Sequence, residues 1–249
     1  MTRDGRGDHG DTNDHGDADS RGDVDSRGGA NDRNEPIAAA LEAGIALFNA
    51  GYVSAAHDRW KSARMAISDD AVADDDADIE PGDERVLRGL AAVATAADHA
   101  RGGDRSDAAD HATRAVDLLD GIDEACHGIA LEPIREWCRR LAAGPGAIGD
   151  DPPPIRIDGV AVGFEDLDLA ATLSAAPELA AAVDAENEET MSVAAALARE
   201  EYGTGRTQVT ELVFAYLRRP EARPQIAARI ADRVDRDRRE RRDVSGLFE

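Results

Sequence analysis

The sequence has 249 residues, which is long enough for one or two domains with a sizeable core. Its 52 acidic residues outnumber its 29 basic ones, the formal net charge is −23, and Lys61 is the only lysine. Because no run approaches the roughly 18 apolar residues of a membrane span and the N-terminal residues are hydrophilic, we expect neither a transmembrane segment nor a signal peptide, and a cytoplasmic location.

Residues 1–34 are predicted to be a disordered tail. They consist mostly of Gly, Asp, Arg, Ser and Asn and have little apolar content. Such a segment cannot bury enough apolar surface to offset the entropy lost on ordering. A bundle of helical hairpins is predicted to follow over residues 35–143.

One pattern of small residues occurs twice with the same spacing and predicts two similar helical hairpins. Its members are Gly51, Ala56 and Ala63 in the first copy and Gly103, Ala108 and Ala115 in the second, preceded by Gly44 and Ala96 respectively. Small side chains at these positions allow two helices to approach closely, and the spacing is typical of tetratricopeptide-type hairpins. We therefore expect an all-α fold with stacked helical hairpins.

Apolar periodicity predicts where the helices of this bundle lie. The first helix is predicted to begin at Glu35 and to end at Gly51. The later helices are predicted at residues 53–67, 84–101, 105–119 and 122–143, the last interrupted at Pro133. The acidic segment 68–83 is predicted to be a solvated loop.

A Pro- and Gly-rich linker, residues 144–154, is predicted to lead into a mostly helical C-terminal domain, residues 155–249. This domain is predicted to begin with a short β-hairpin, because two alternating segments flank Asp158-Gly159, a dipeptide that type I′ turns prefer. Further helices are predicted at residues 165–183, 188–202, 207–217 and 220–241.

Motifs for metal binding or for covalent chemistry are missing from the sequence. Cys126 and Cys138 have the spacing of neither a redox pair nor a zinc-ligand set, so we expect reduced thiols. The sequence also lacks a Gly-rich phosphate loop, a nucleophile elbow and a paired-glutamate di-metal motif. We predict no metal ion or other cofactor, and we expect His111 and His127 to be half-buried packing residues.

Two blocks of motif residues carry a resemblance to a known family. The blocks are Phe48-Asn49-x-Gly51-Tyr52 with Ala56-His57-Asp58-x-Trp60, and Leu87-x-Gly89-Leu90 with His99. Over residues 38–120 the chain resembles the family called domain of unknown function three hundred and nine, of the kind found in halophilic archaea. The resemblance implies an all-helical fold and no particular activity, because the biochemical role of the family is not established.

Four positions depart from the pattern of that family. Lys61 stands where the resemblance implies a second glutamate, and Arg64 stands where it implies a tryptophan. Arg88 and Ala92 replace polar residues of the second block. If the motif residues perform a reaction in the family, this chain has lost part of the set.

The candidate site is the groove between the stacked hairpins, because His57 and His99 lie on neighbouring predicted helices. The candidate lining residues are His57, Asp58, Trp60, Glu84, Arg85, Arg88 and His99. Neither histidine belongs to a His-x-x-x-His or His-x-x-Glu motif, which would place two metal ligands on one helix face. No residue is assigned a catalytic role.

The favoured function is a protein-binding or scaffolding module that uses this groove, with a partner protein or a second copy of the chain as its ligand. The alternative is a small-molecule or metal-assisted enzyme with a site near His57, Asp58 and His99, since histidine titrates near neutral pH and binds metals. Nucleic acid is not an expected partner. The arginine-rich segment 218–242 has an apolar face that predicts docking on the core.

The acidic composition predicts adaptation to molar salt. Abundant hydrated carboxylates repel each other, and salt at about 1 M screens this repulsion beyond about 3 Å. We expect the midpoint of thermal unfolding to rise as the KCl concentration is raised, measured by circular dichroism. A midpoint that falls or stays constant would contradict this prediction.

Overall fold

Helices make up most of the computed structural model, which describes residues 28–73, 81–123, 126–144, 151–184, 187–202, 204 and 207–245. The helices are α1 (Gly28–Asn49), α2 (Val53–Ala73), α3 (Pro81–Gly102), α4 (Arg105–Leu119), α5 (Glu132–Ala143), α6 (Leu169–Val183), α7 (Glu188–Glu201), α8 (Gln208–Arg218) and α9 (Arg223–Ser245). Strands β1 (Arg156–Ile157) and β2 (Val160–Ala161) pair antiparallel. The predicted all-α fold class is confirmed.

The two predicted hairpin turns share one geometry. Gly51 and Gly103 both have positive φ angles, 89° and 80°. The N–H of Tyr52 donates to the carbonyl of Leu47 (2.9 Å), and the N–H of Asp104 donates equivalently to the carbonyl of His99 (3.0 Å). These bonds satisfy helix-terminal carbonyls in the manner of glycine C-caps.

Small residues allow the helices of each hairpin to pack closely. α1 packs against α2, α2 against α3 and α3 against α4. Gly44 lies against the buried indole of Trp60, and a Cβ at Gly44 would overlap that ring. Ala56 and Ala108 are fully buried, as expected for positions where hairpin helices meet.

Several helix boundaries differ from the predictions. α1 begins at Gly28 rather than Glu35, so residues 28–34 of the predicted tail are helical, and residues 1–27 lie outside the described part. α2 continues to Ala73, and α3 begins at Pro81, so the predicted loop is shorter; residues 74–80 lie outside the described part. α5 begins only at Glu132, because Pro133 suits the first turn of a helix and not its interior.

The remaining differences lie in the C-terminal half. α6 begins at Leu169, where Asp168 caps it through the N–H of Ala171, instead of at residue 165. A short 3₁₀ turn, Pro220–Ala222, precedes α9. The predicted docking face of α9 is confirmed, because Ile226, Ile230 and Val234 are buried.

The predicted β-hairpin is present and is tied to the end of α1. Asp158 and Gly159 both have positive φ, as a type I′ turn requires. The side-chain amide of Asn49 donates to the carbonyls of Ile155 (2.8 Å) and Val162 (3.0 Å), while its oxygen accepts from the N–H of Ile155 (2.8 Å). One side chain thereby holds both ends of the hairpin.

The apolar core runs from the N-terminal hairpins into the C-terminal helices. α6 packs against both α1 and α2, and buried residues of both halves form one cluster. The segments before and after the predicted linker 144–154 therefore pack on each other. Residues 145–150 of this linker lie outside the described residues. None of the helices among the described residues has the length and apolar character needed to cross a membrane.

The close packing at Gly44 can be tested by substitution. Gly44→Ala should lower the free energy of unfolding by about 1–3 kcal/mol, because the added methyl group overlaps the Trp60 ring. Gly82→Ala in α3 is the control, since its Cβ meets open space; it should raise this free energy by up to about 1 kcal/mol. Urea denaturation measures both, and equal effects of the two substitutions would contradict the packing argument.

Candidate functional site

A groove with a volume of about 420 Å³ lies across α2, α3 and α4. We call it the α2–α4 groove. Its described lining residues are His57, Trp60, Lys61 and Arg64 of α2, Leu87, Arg88, Ala91, Ala92 and Thr95 of α3, and His111 and Arg114 of α4. α3 supplies three of the four apolar lining residues, and each of the three helices supplies at least one cation.

The α2–α4 groove is basic in a chain whose net charge is −23. Its cations are Lys61, Arg64, Arg88 and Arg114, and the described lining residues include no Asp or Glu. A cleft lined by charges of one sign concentrates the potential and attracts ligands of the opposite sign. The groove therefore suits a negatively charged ligand.

Three of the seven predicted site residues, His57, Trp60 and Arg88, line the α2–α4 groove. Asp58 is close by, because its carboxylate lies 3.0 Å from Nδ1 of His57. Both side chains of this pair are partly exposed to solvent. The aspartate thus orients the histidine ring beside the groove.

Glu84 and Arg85 occupy different places although they are adjacent in sequence. The Glu84 carboxylate lies 3.9 Å from Nη1 of Arg64 and 3.8 Å from Nη1 of Arg88. Exposed pairs of this kind contribute about 0–1 kcal/mol, so Glu84 orients the two arginines only weakly. Arg85 donates instead to the carbonyl of Asp120 (2.7 Å) at the end of α4.

His99 is not among the described residues that line the groove; His111 takes that place. The two imidazole rings stack, with centroids 5.4 Å apart and planes 7° apart. Burial is the main effect that lowers the pKa of His111 below its ordinary value, and the neighbouring His99 lowers it further. His111 is half-buried and packs on His99, as predicted, but its place in the groove was not predicted.

Eight of the described lining residues were not among the predicted site residues, and four of these have titratable side chains: Lys61, Arg64, His111 and Arg114. Lys61 comes four residues after His57, Arg64 comes three residues after Lys61, and Arg114 comes three residues after His111. Such intervals place side chains on one helix face. The spacing of cations along α2 and α4 was thus the available signal.

A second group of titratable side chains lies outside the groove. His127, predicted to be a packing residue, has its Nε2 2.9 Å from the carboxylate of Asp83, which is only 5 % exposed. The hydrogen bond to Asp83 raises the pKa of His127.

Cys138 is buried in α5, and desolvation raises the pKa of its thiol to about 12, so this thiol is not a nucleophile at neutral pH.

Comparison with known proteins gives no match to a protein-family model or to a curated protein. The resemblance to domain of unknown function three hundred and nine therefore stays a prediction, and the geometry of the α2–α4 groove carries the functional argument.

Proposed function

We propose that the chain is a cytosolic protein-binding module that holds an acidic segment of a partner protein in the α2–α4 groove. The observation that carries this proposal is the charge of the lining, because its described residues include four cations and no Asp or Glu, and the nearby Glu84 pairs only weakly with two of these cations. Arginine supports it further, because a guanidinium group can donate two parallel hydrogen bonds to one carboxylate.

The spread of the polar lining side chains favours an extended ligand over a small anion. His57 and Arg64 lie seven residues apart on α2, which corresponds to about 10 Å along the helix. Arg88 and Arg114 lie on two other helices. Carboxylates at successive positions of a peptide can contact these groups in turn, whereas a single small anion cannot contact all of them.

The departures from the resembled family support the same proposal. Lys61, Arg64, Arg88 and Ala92 all line the α2–α4 groove, so the four departures fall on one surface. We infer that this chain has a basic groove where the resemblance implies a glutamate, a tryptophan and polar side chains. In molar salt, exposed charges more than about 3 Å apart are largely screened from each other, so attraction to a ligand depends on direct contacts between charged groups. This again favours guanidinium–carboxylate pairs.

The enzyme alternative has less support. His57 and Asp58 form a pair beside the groove, while His99 stacks on His111 and lies 4.0 Å from the carboxylate of Asp104. His57 and Asp58 are thus partners of each other, whereas the described contacts of His99 are to Asp104 and His111.

The groove can be tested with a fluorescein-labelled oligoglutamate peptide, followed by fluorescence anisotropy at moderate and molar KCl. Lys61→Glu combined with Arg88→Glu should weaken binding by at least about tenfold, equivalent to about 1.4 kcal/mol, because two contacting cations become anions. The matched control is Arg105→Glu combined with Arg140→Glu, two exposed positions outside the described lining. It should change affinity by less than about twofold.

Three outcomes would contradict the proposal: no binding of the peptide by the folded protein, equal weakening by both double variants, or preferential binding of an RNA oligonucleotide of the same charge. Sedimentation of the unliganded protein at rising concentration separates self-association from binding of another protein. Dimerisation abolished by the groove variant would make a second copy the partner.

A further inference from the structure

Three potential metal ligands from two parts of the chain meet beside the first turn of α3. They are a carboxylate oxygen of Asp83, the sulfur of Cys126 and a ring nitrogen of His127, all within 4.8 Å of one another. Asp83 is buried, and the other two residues are half-buried. Neither cysteine of the chain forms a disulfide.

The segment that carries Cys126 and His127 is held on the β-hairpin. The N–H of Asp158 donates to the carbonyl of Gly128 (2.9 Å), and the N–H of Ala130 donates to the carbonyl of Arg156 (2.9 Å). Gly128 has no side chain at a point where the Asp158 carboxylate approaches closely. These contacts hold the residues immediately after the two ligands on the β-hairpin.

His127 adopts an uncommon backbone conformation in this segment. Its φ is +54°, in the left-handed region that few residues other than glycine occupy. In this conformation its ring nitrogen lies 2.9 Å from Asp83. The three donors are therefore assembled before any ligand binds.

We propose that Asp83, Cys126 and His127 bind a zinc ion. Donors about 2.0–2.3 Å from one tetrahedral zinc ion lie about 3.3–3.8 Å apart. The three donor atoms lie within 4.8 Å of one another, so binding requires shifts of up to about 1 Å, including a slight opening of the 2.9 Å contact between Asp83 and His127. Thiolate, imidazole and carboxylate together are the ligands of zinc and not of magnesium or calcium. A water molecule completes four-coordination.

The proposed ion connects the first turn of α3 to the segment between α4 and α5. Asp83 lies at one end of the α3–α4 hairpin, and Cys126 and His127 lie beyond its other helix. Ligands from both segments bound to one ion would link the start of α3 to the segment that follows α4. Zinc should therefore stabilise the fold, independently of ligand binding in the α2–α4 groove.

Cobalt substitution tests the proposal directly. Full-length protein, treated with a chelator and then dialysed, is titrated with CoCl₂ and afterwards with ZnCl₂. We expect a thiolate-to-cobalt charge-transfer band that saturates at one equivalent and disappears when zinc displaces cobalt. Carboxylate sites elsewhere in this acidic chain cannot give this band, because it requires sulfur.

Cys126→Ser should remove the band, whereas Cys138→Ala, which changes the other cysteine, should keep it. Asp83→Asn and His127→Asn should each weaken cobalt binding by at least about tenfold. Zinc should raise the thermal midpoint of the wild type and leave that of Cys126→Ser unchanged. Circular dichroism shows which variants are folded. If Asp83→Asn does not fold, the comparison of Cys126→Ser with Cys138→Ala decides whether the cobalt site contains Cys126.

The proposal is overturned if the folded wild type gives no charge-transfer band, if Cys126→Ser retains the band, or if zinc raises the thermal midpoints of the wild type and Cys126→Ser equally. Asp83 and His127 would then form only a structural hydrogen bond. A result against zinc leaves the peptide-binding test unaffected, since that test uses different residues.

Discussion

The close approach of α1 and α2 at Gly44 is the constraint on which the N-terminal half depends. The missing side chain makes room for the Trp60 indole, which is fully buried. Burial of this ring fixes how α2 is rotated about its axis. The groove-lining residues of α2 take their positions from Trp60. His57 lies three residues before it, Lys61 one residue after it and Arg64 four residues after it, and all three line the α2–α4 groove. A packing requirement between two helices therefore determines which charges the groove presents.

The hairpins could be predicted for two reasons. Close helix packing restricts residue size at fixed spacings, and turn positions with positive φ favour glycine. Helix ends were less predictable. α2 extends through Ser68–Ala73 although two of these residues are aspartates, since short polar side chains lower helix propensity without preventing a helix. The segment before α5 was predicted to be helical but instead pairs with the β-hairpin, through the bridge between Ile129 and Ile157.

The sites were harder to predict than the fold, because both depend on contacts between distant segments. His111 lies beside buried Ala112 on α4, and the sequence does not show which neighbour of a core position faces a groove. Asp83 and His127 are separated by 44 positions, so a search for ligand spacing within one helix could not find them. The adjacent Cys126 and His127 were the available signal, and it is weak without the carboxylate.

The contacts of Asn49 carry a consequence for the chemical lifetime of the protein. Both the nitrogen and the oxygen of its amide are engaged by backbone groups of Ile155 and Val162. Deamidation would put a carboxylate against two carbonyl oxygens and repel them. In a chain this rich in aspartate, an acid is tolerated at many surface positions, yet at this one it would remove both hydrogen bonds that the side-chain nitrogen donates to the β-hairpin.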